Sequence, residues 1–441
     1  MKIVQVCGWY FPDPHSHTES YVAMLASRLA AAGHHVAIAA PDPGGAAERS
    51  YRHEDVSVYR YPVPGRPTIA EAQHATVARG AERLHAWLHE MRPDVVHFHT
   101  LTTGAGPQEL RAARAAGARV YTTAHTGSLG FLCQRGTMLR WGRALCDGAA
   151  APVTCAACEL QHRGTPRPVA DLLALVQMPA GRLLRRLPGR AGATLGMSST
   201  IARQLELQRE VLAGVDRFVV LNEWARRVTT ANDGVGAPIL LNRIGTRATA
   251  SDAERRRAIP RPRREHLTVG YAGRLDHVKG VHDVARAVRR LGHGSPVRIE
   301  FRSPVRNLRE LQVSNELKAI VGPDAWVQFK PPLEGDALLD YLCEIDVLCC
   351  PSLTGVGGSM VAVEAMAVGT PVIATRLGAC AELIADGVNG RLIAPGDWRA
   401  LADAIRDLMR EPATLDAWRR ALPPVRTMDD VASDHLQMYQ G

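Results

Sequence analysis

LTVGYAGRLDHVKGVHDVARAVRRL, Leu267–Leu291, reads as strand, loop and helix in succession. The run from Leu267 to Ala272 is continuous and apolar, as a strand covered on both faces requires. It ends at Gly273, and a helix begins near Val281 after a loop closed by Gly280. Arg274 and Lys279 flank that loop and therefore emerge at the carboxyl edge of a parallel sheet, where open α/β sheets bind their ligands. Two cations about 4 Å from a diphosphate are worth about 4 kcal/mol each at an effective dielectric of 20, before desolvation is deducted. Lysine and arginine are usually solvated surface charges. The flanking strand, glycines and turn favour an anion site instead.

Working outward, the same alternation recurs on both sides. Towards the N-terminus, KIVQVCG is an apolar run, followed by YVAMLASRLAAAGHHVAIAAP, in which Tyr21, Met24, Leu25 and Leu29 share a helical face, Gly33 stops the helix, and Val36 to Ala40 begins another strand. DVVHFHT, ARVYTTAHT and DRFVVLN are further strands of this half. After Leu267 come VRIEFRS, WVQFK, DVLCCPS, PVIATR and GRLIAP, with helices near Asp336–Cys343, Met360–Val368 and Asp397–Met409. The Arg- and Pro-rich RATASDAERRRAIPRPRREH between the halves reads as an interdomain linker. The expected fold is α/β, two Rossmann-like doubly wound domains facing a cleft between their strand carboxyl ends.

Size and composition agree. The 441 residues are too many for one core and suit two, or at most three, domains. With 46% hydrophobic and 22% charged residues the chain is an ordinary globular protein, and a net charge of +9, carried largely by arginine, favours anionic partners. Aromatic residues make up only 5%, and no basic–aromatic interleaving or zinc-finger spacing accompanies the charge, so no nucleic-acid partner is expected. MKIVQVCGWYF has too short an apolar run for a secretory signal, and no stretch reaches the ~20 apolar residues of a spanning helix, which gives a cytoplasmic expectation. Nine cysteines do not suggest a disulfide framework, and Cys7, Cys343, Cys349, Cys350 and Cys380 lie in apolar, core-like contexts.

A second motif belongs beside Arg274 and Lys279. In LTGVGGSMVAVEAMAVG, Leu353–Gly369, the glycine-rich Gly357, Gly358 and Ser359 lead into a helix at about Met360, whose free N–H groups and positive end favour an anion. Glu364 follows about one turn on, where it could accept from ribose hydroxyls; the bland alternative is a helix-dipole or surface glutamate.

GRLDHVKG, the block PSLTGVGGSMVAVEAMAVGTPVIATRLGACAELIADGVNGRLIAPGD and the N-terminal LASRLAAAGHHVAIAAP together resemble the retaining GT-B glycosyltransferases of family 4 over nearly the whole chain. The resemblance implies transfer of a sugar from a nucleoside-diphosphate sugar to a carbohydrate, lipid-linked or small-molecule hydroxyl acceptor, with no cofactor required for catalysis. It implies catalytic roles for Arg274, Lys279, His125 and Glu364, and donor contacts from Gly273, Val356, Gly357, Gly358, Ser359, Met360, Val361 and Glu382. His15, His17, Thr18 and His99 would lie on the acceptor side. Residues 1–246, with an insertion at 126–165, would bind the acceptor and 247–420 the donor, and 421–441 would pack back on the N-terminal domain.

The sequence departs from the family pattern at three places. The E-x7-E pair of the family is reduced to Glu364, because Val356 stands where the first acid would contact donor-sugar hydroxyls. Ser16 and His17 replace the Gly-Gly pair expected before Thr18 and Glu19, and RSPVRN replaces a glycine-rich loop after VRIEF. These changes leave two alternatives to an active transferase: a catalytically silent sugar-nucleotide-binding scaffold, and an epimerase of the same fold.

Two segments stand outside the donor motifs. Cys133, Cys146, Cys155 and Cys158 form a C-x12-C-x8-C-x2-C cluster that suits a structural zinc site, an iron–sulfur cluster being the alternative with the same ligands and four free thiols the bland one. MPAGRLLRRLPGRAG sets Leu183, Leu184 and Leu187 against Arg182, Arg185, Arg186 and Arg190; it reads either as peripheral contact with an anionic membrane or as an amphipathic helix packed on the N-terminal domain, limited to about two turns by Pro179 and Pro188.

Overall fold

The computed structural model describes residues 1–12, 17–125, 133, 138–142, 144–184, 189–233, 236–261, 265–292, 295–323, 326–355 and 357–441, without side chains at 17, 178–180, 182, 190 and 233. The chain divides into two compact units: Met1–Asn242 with Ala432–Gly441, and Arg243–Val431.

The first unit is built on an eight-stranded sheet. Its strands are β1 (Lys2–Val6), β2 (His35–Pro43), β3 (Arg49–His53), β4 (Val56–Val63), β5 (Val95–Phe98) and β6 (Arg119–Ala124). A separate small hairpin follows, β7 (Leu139–Arg140) with β8 (Ala144–Leu145), and the sheet is completed by β9 (Arg217–Val220) and β10 (Ile239–Leu241). The order is β10-β9-β6-β5-β1-β2-β4-β3, parallel throughout except that β3 runs antiparallel to β4. Strand β5 is buried at every position and β1 at all but its first residue, which is why they read as unbroken apolar runs and not as alternating ones. The antiparallel β3 edge has the sequence RSYRH, whose polar composition hides it from a search for apolar runs.

The second unit carries a six-stranded, fully parallel sheet: β11 (Leu267–Ala272), β12 (Val297–Arg302), β13 (Val327–Lys330), β14 (Val347–Cys350), β15 (Val372–Thr375) and β16 (Gly390–Ile393). The order β13-β12-β11-β14-β15-β16 reverses direction between β11 and β14, which pair through Val269 with Val347 and Gly270 with Leu348. Loops leaving these two strands therefore flank the topological switch point, the usual ligand crevice of such a sheet. Gly270 sits mid-strand because a Cβ there would lie 2.5 Å from Ile345 Cδ1 and 2.7 Å from Tyr341 Oη; only glycine lets the helix Gly335–Glu344 approach so closely. On the opposite side the helices Val281–Leu291 and Trp398–Arg410 bury Val281, Val284, Leu401 and Ile405 in the same core as Val269 and Ile299.

The interval read as a linker is part of the second unit. Ala250–Arg257 is a helix capped by Thr249, and Arg256 is 7% exposed and bonded to Asp252 and Asp340. Arg257 and Arg261 donate to the carbonyls of Met366, Ala367 and Val368 at the end of the helix Met360–Ala367. Arginines that satisfy orphan helix carbonyls are structural, although their density reads as solvated linker in one dimension.

Candidate functional site

The loop after β11 is rigid for identifiable reasons. Tyr271 Oη donates to the Arg274 carbonyl at 2.8 Å, and Asp276 caps the short 3-10 turn His277–Lys279 by accepting from the Val278 N–H at 3.2 Å. Gly280 then takes φ +70°, and a Cβ on it would lie 1.8 Å from the Pro351 carbonyl oxygen, so glycine is obligatory. This contact brings the loop after β14 alongside, where the Leu353 N–H donates to the Val278 carbonyl at 2.7 Å. The two loops at the switch point are thus stitched into one wall.

Both expected cations lie in that wall. Arg274 stands 3.5 Å from Asp276. Lys279 is half-buried, and its burial, followed by the nearby charge of Arg274, lowers its pKa from the usual lysine value. A desolvated ammonium beside a second cation gains most from a bound anion.

The glycine loop meets Lys279 through a pair of thiols. Cys350 and Cys380 are both buried, both face Lys279, and both hydrogen-bond with the Ser359 hydroxyl. Ser359 is the N-cap of the helix Met360–Ala367, yet its side chain makes no cap bond, since its hydroxyl is engaged by sulfur. The first N–H groups of a helix have no intrahelical partner, and here the usual side-chain substitute is diverted. Gly358 is held by close approach: a Cβ there would meet Ile244 Cγ2 at 2.7 Å. Gly273, Gly357, Ser359 and Val361 are all half-buried and Met360 is buried. Val356 lies outside the described residues.

Glu364 is not a surface glutamate. It is 1% exposed and accepts from Arg247 Nε at 2.5 Å; burial raises its pKa, and the Arg247 charge and hydrogen bond oppose the rise. Glu382 on the helix Gly378–Leu383 accepts from Arg243 Nε at 3.0 Å. Sequence reasoning missed both arginines. They lie in NRIGTR, on either side of Gly245, whose missing Cβ would sit 2.2 Å from the Thr427 carbonyl. A glycine between two arginines just before the first strand of a domain was the available signal.

In the first unit, His125 ends β6 and is 7% exposed; His99 follows β5 and is 1% exposed. His99 Nδ1 and His125 Nε2 are 3.0 Å apart, and Tyr21 packs edge-on to His125 with ring centres 4.7 Å apart. Burial, then the neighbouring His435, lowers the His125 pKa to about 3, so the ring is neutral at any working pH. Gln5, His97, His435 and Tyr439 complete this cluster and were not anticipated. Thr18 and Glu19 are buried at the start of the helix His17–Ala31. His15 and the side chain of His17 lie outside the described residues.

Comparison with known proteins fits this arrangement. The family model described as Glycosyl transferases group 1 matches residues 266–411, and that of Glycosyltransferase Family 4 matches residues 18–170. The chain belongs to family 4 of the glycosyltransferases. A D-inositol 3-phosphate glycosyltransferase of Corynebacterium urealyticum is 31% identical over 181 residues, 40% of this chain and 42% of that protein, so under half of that relative's length is matched. Sucrose-phosphate synthase from Thermosynechococcus elongatus superposes with a TM-score of 0.66 at 17% identity, covering 100% of this chain and 98% of that one. Anabaena HepE, solved with UDP and glucose, gives 0.61 at 14% identity and covers 100% of both chains. At these identities the likeness shows the fold, and it is GT-B.

For this family 4 chain the cysteine expectation needs correction. Cys133, Cys146, Cys155 and Cys158 do line one cavity of about 50 Å³ with Met138, Leu139 and Thr154. Among the described residues, however, no group of three or more His, Cys, Asp or Glu side chains could hold a metal ion, so neither zinc nor an iron–sulfur cluster is supported. Two of the sulfurs accept backbone hydrogen bonds, Cys158 from the Trp141 N–H at 3.3 Å and Cys146 from the Gly148 N–H at 3.4 Å. Cys343, expected in the core, is half-buried, whereas Cys7, Cys349, Cys350 and Cys380 are buried.

The basic segment also differs from its reading. The helix Arg167–Leu184 is 18 residues long and continues through Pro179, so the two-turn limit does not hold. It exposes Val169, Leu172, Leu175, Val176 and Leu183. Residues 185–188 and the side chains of Arg182 and Arg190 lie outside the described set. Among the described residues no helix is long and apolar enough to cross a membrane.

Proposed function

We propose that the chain is a retaining glycosyltransferase that moves a sugar from a nucleoside-diphosphate sugar to a hydroxyl acceptor, with the donor on the second unit and the acceptor on the first. One observation carries the reading: Arg274, desolvated Lys279 and the uncapped start of the helix Met360–Ala367 gather at the β11/β14 switch point. These groups suit a diphosphate, and HepE, whose fold this chain shares, was solved with UDP.

In this reading Arg274 and Lys279 neutralise the diphosphate as the bond from the anomeric carbon to its oxygen breaks, the electron pair leaving with the phosphate. The acceptor oxygen bonds to the same face of that carbon and its proton passes to the departing diphosphate. Fixed cations then supply most of the barrier reduction, without a divalent ion in that role. The backbone from Gly358 to Met360 holds the second phosphate, Glu364 the ribose and His125 the sugar. Gly273, Gly357, Val361 and Glu382 complete the donor site, and Thr18, His15 and His17 are assigned to the acceptor. His99 acts behind His125 and not on the acceptor, since it is buried among other side chains. Val356, in place of an acid, alters the contacts to the sugar.

The exposed apolar stripe of the helix Arg167–Leu184, on a chain of net charge +9, favours peripheral contact with an anionic membrane, where lipid-linked acceptors are found.

The test is incubation with UDP-, GDP- and ADP-sugars and an acceptor panel, following released nucleotide, with the anomer of the product read by NMR and the assay repeated in chelator. Retention of configuration with chelator-insensitive turnover is expected. Tight nucleotide binding with no turnover for any pair would make the protein a silent scaffold, and sugar isomerisation without acceptor would make it an epimerase.

A further inference from the structure

Six buried side chains at the carboxyl edge of the first sheet form one hydrogen-bonded chain. Gln5, on β1, is 0% exposed. Its Oε1 lies 2.5 Å from His99 Nε2, and its Nε2 lies 3.4 Å from Tyr439 Oη in the C-terminal helix Met428–Gln440. On one arm, His99 Nδ1 is 3.0 Å from His125 Nε2. On the other, Tyr439 Oη is 2.5 Å from His97 Nδ1, and His97 Nε2 is 2.7 Å from Thr123 Oγ1.

A neutral imidazole has one N–H and one lone pair, and a primary amide has one accepting and one donating end. Each contact therefore dictates the next. With the Gln5 oxygen towards His99, the His99 proton is on Nε2 and its Nδ1 must accept. His125 must then donate from Nε2, which leaves its lone pair on Nδ1. On the second arm the amide N–H donates to Tyr439, the phenol donates to His97 Nδ1, and His97 Nε2–H donates to Thr123. A half-turn of the amide would reverse every proton in both arms. The network has two self-consistent states, and the orientation of Gln5 selects between them.

We infer that Gln5 is a positioning residue that acts through His99 to hold His125 as its Nε2–H tautomer, with the Nδ1 lone pair free to receive a sugar hydroxyl. The catalytic consequence rests on the proposed role of His125, whereas the tautomer itself does not. A neutral ring with a fixed lone pair can accept from the donor sugar without placing an imidazolium beside a carbon that gains positive charge. Among the described residues His99, His435 and the edge of Tyr21 face His125, and none of these is a carboxylate that would draw a proton onto the ring. Burial and neighbouring imidazoles hold His97 and His99 neutral as well. Tyr439 lies in the last turn of the helix Met428–Gln440, which ties the orientation of Gln5 to docking of that helix.

The experiment is two-bond 1H–15N correlation NMR of the full chain labelled with 15N-histidine, near neutral pH, with signals assigned by His99→Gln and His125→Gln. His99 and His125 should both show the Nε2–H pattern. Gln5→Met, which offers His99 no acceptor, should replace it at His125 by tautomer averaging; Gln5→Glu, which keeps an oxygen towards His99, should restore it. Turnover of Gln5→Met should fall about tenfold or more while the KM for the nucleotide sugar changes less than about twofold. An Nδ1–H pattern at His125 in the unaltered protein, or an unchanged Nε2–H pattern in Gln5→Met, overturns the inference. Should Gln5→Met fail to fold, the unaltered protein's spectrum decides alone. A chain inactive with every donor would refute the transferase reading and leave the tautomer result standing.

Discussion

Replacing Arg247 by methionine removes the charge that faces Glu364, a carboxylate with 1% exposure on the helix Met360–Ala367. Breaking a buried pair from one side costs about 3–5 kcal/mol. The lower end applies, because the Arg247 side chain is 22% exposed and solvent screens it in part. The sign with pH follows from the direction of the shift. Burial already places the folded Glu364 pKa above its ordinary 4.5, and losing Arg247 raises it further. A group whose folded pKa is raised contributes stability that is fully present below the unfolded pKa and lost as pH rises through the folded value. The Arg247→Met penalty should therefore be about 1 kcal/mol at pH 4.5 and below, where the folded carboxyl is protonated in both proteins, and grow by up to about 1.4 kcal/mol per pH unit once pH passes the raised wild-type value. By pH 7 it should reach about 3 kcal/mol, a fall in Tm of about 6–12 °C for a unit of this size. Urea melts of both proteins at pH 5 and pH 7 measure this, and adding Glu364→Gln should recover most of the pH 7 loss. A penalty that is the same at both pH values, or no recovery in the double variant, would refute the reasoning.

Three further outcomes are expected. Arg274→Ala and Lys279→Ala should each lower turnover by at least about tenfold, or about 1.4 kcal/mol of transition-state stabilisation, in a released-nucleotide assay; unaltered rates in both would remove the diphosphate site. Gly280→Ala forces a Cβ to 1.8 Å from the Pro351 carbonyl at φ +70°, so unfolding free energy should drop by at least about 2 kcal/mol and UDP binding by calorimetry should weaken with it. Zinc and iron analysis of protein purified without chelator should find well under one equivalent, because among the described residues no three His, Cys, Asp or Glu side chains form a metal-holding group.

The sequence by itself determined the repeating strand–helix pattern, the doubly wound class, the two cations at a strand end and the glycine loop. Each depends on periodicity or turn chemistry within about twenty neighbouring residues, and such signals survive in one dimension. Buried parallel strands announce themselves as apolar runs; the polar edge strand Arg49–His53 did not, because its partners and not its composition make it a strand. Only the tertiary structure decided which charges are paired. Glu364 meets an arginine 117 positions away, Gln5 meets a tyrosine 434 positions away, and the arginines of the apparent linker close helix carbonyls more than 100 positions on. It also set the four cysteines that their spacing had grouped around one cavity, without forming a metal-holding group among the described residues. The physical reason is that burial and pairing are properties of what the fold brings alongside a side chain, and a carboxylate, imidazole or thiol has the same letter whether it ends in solvent, beside an opposite charge or in a hydrogen-bonded core.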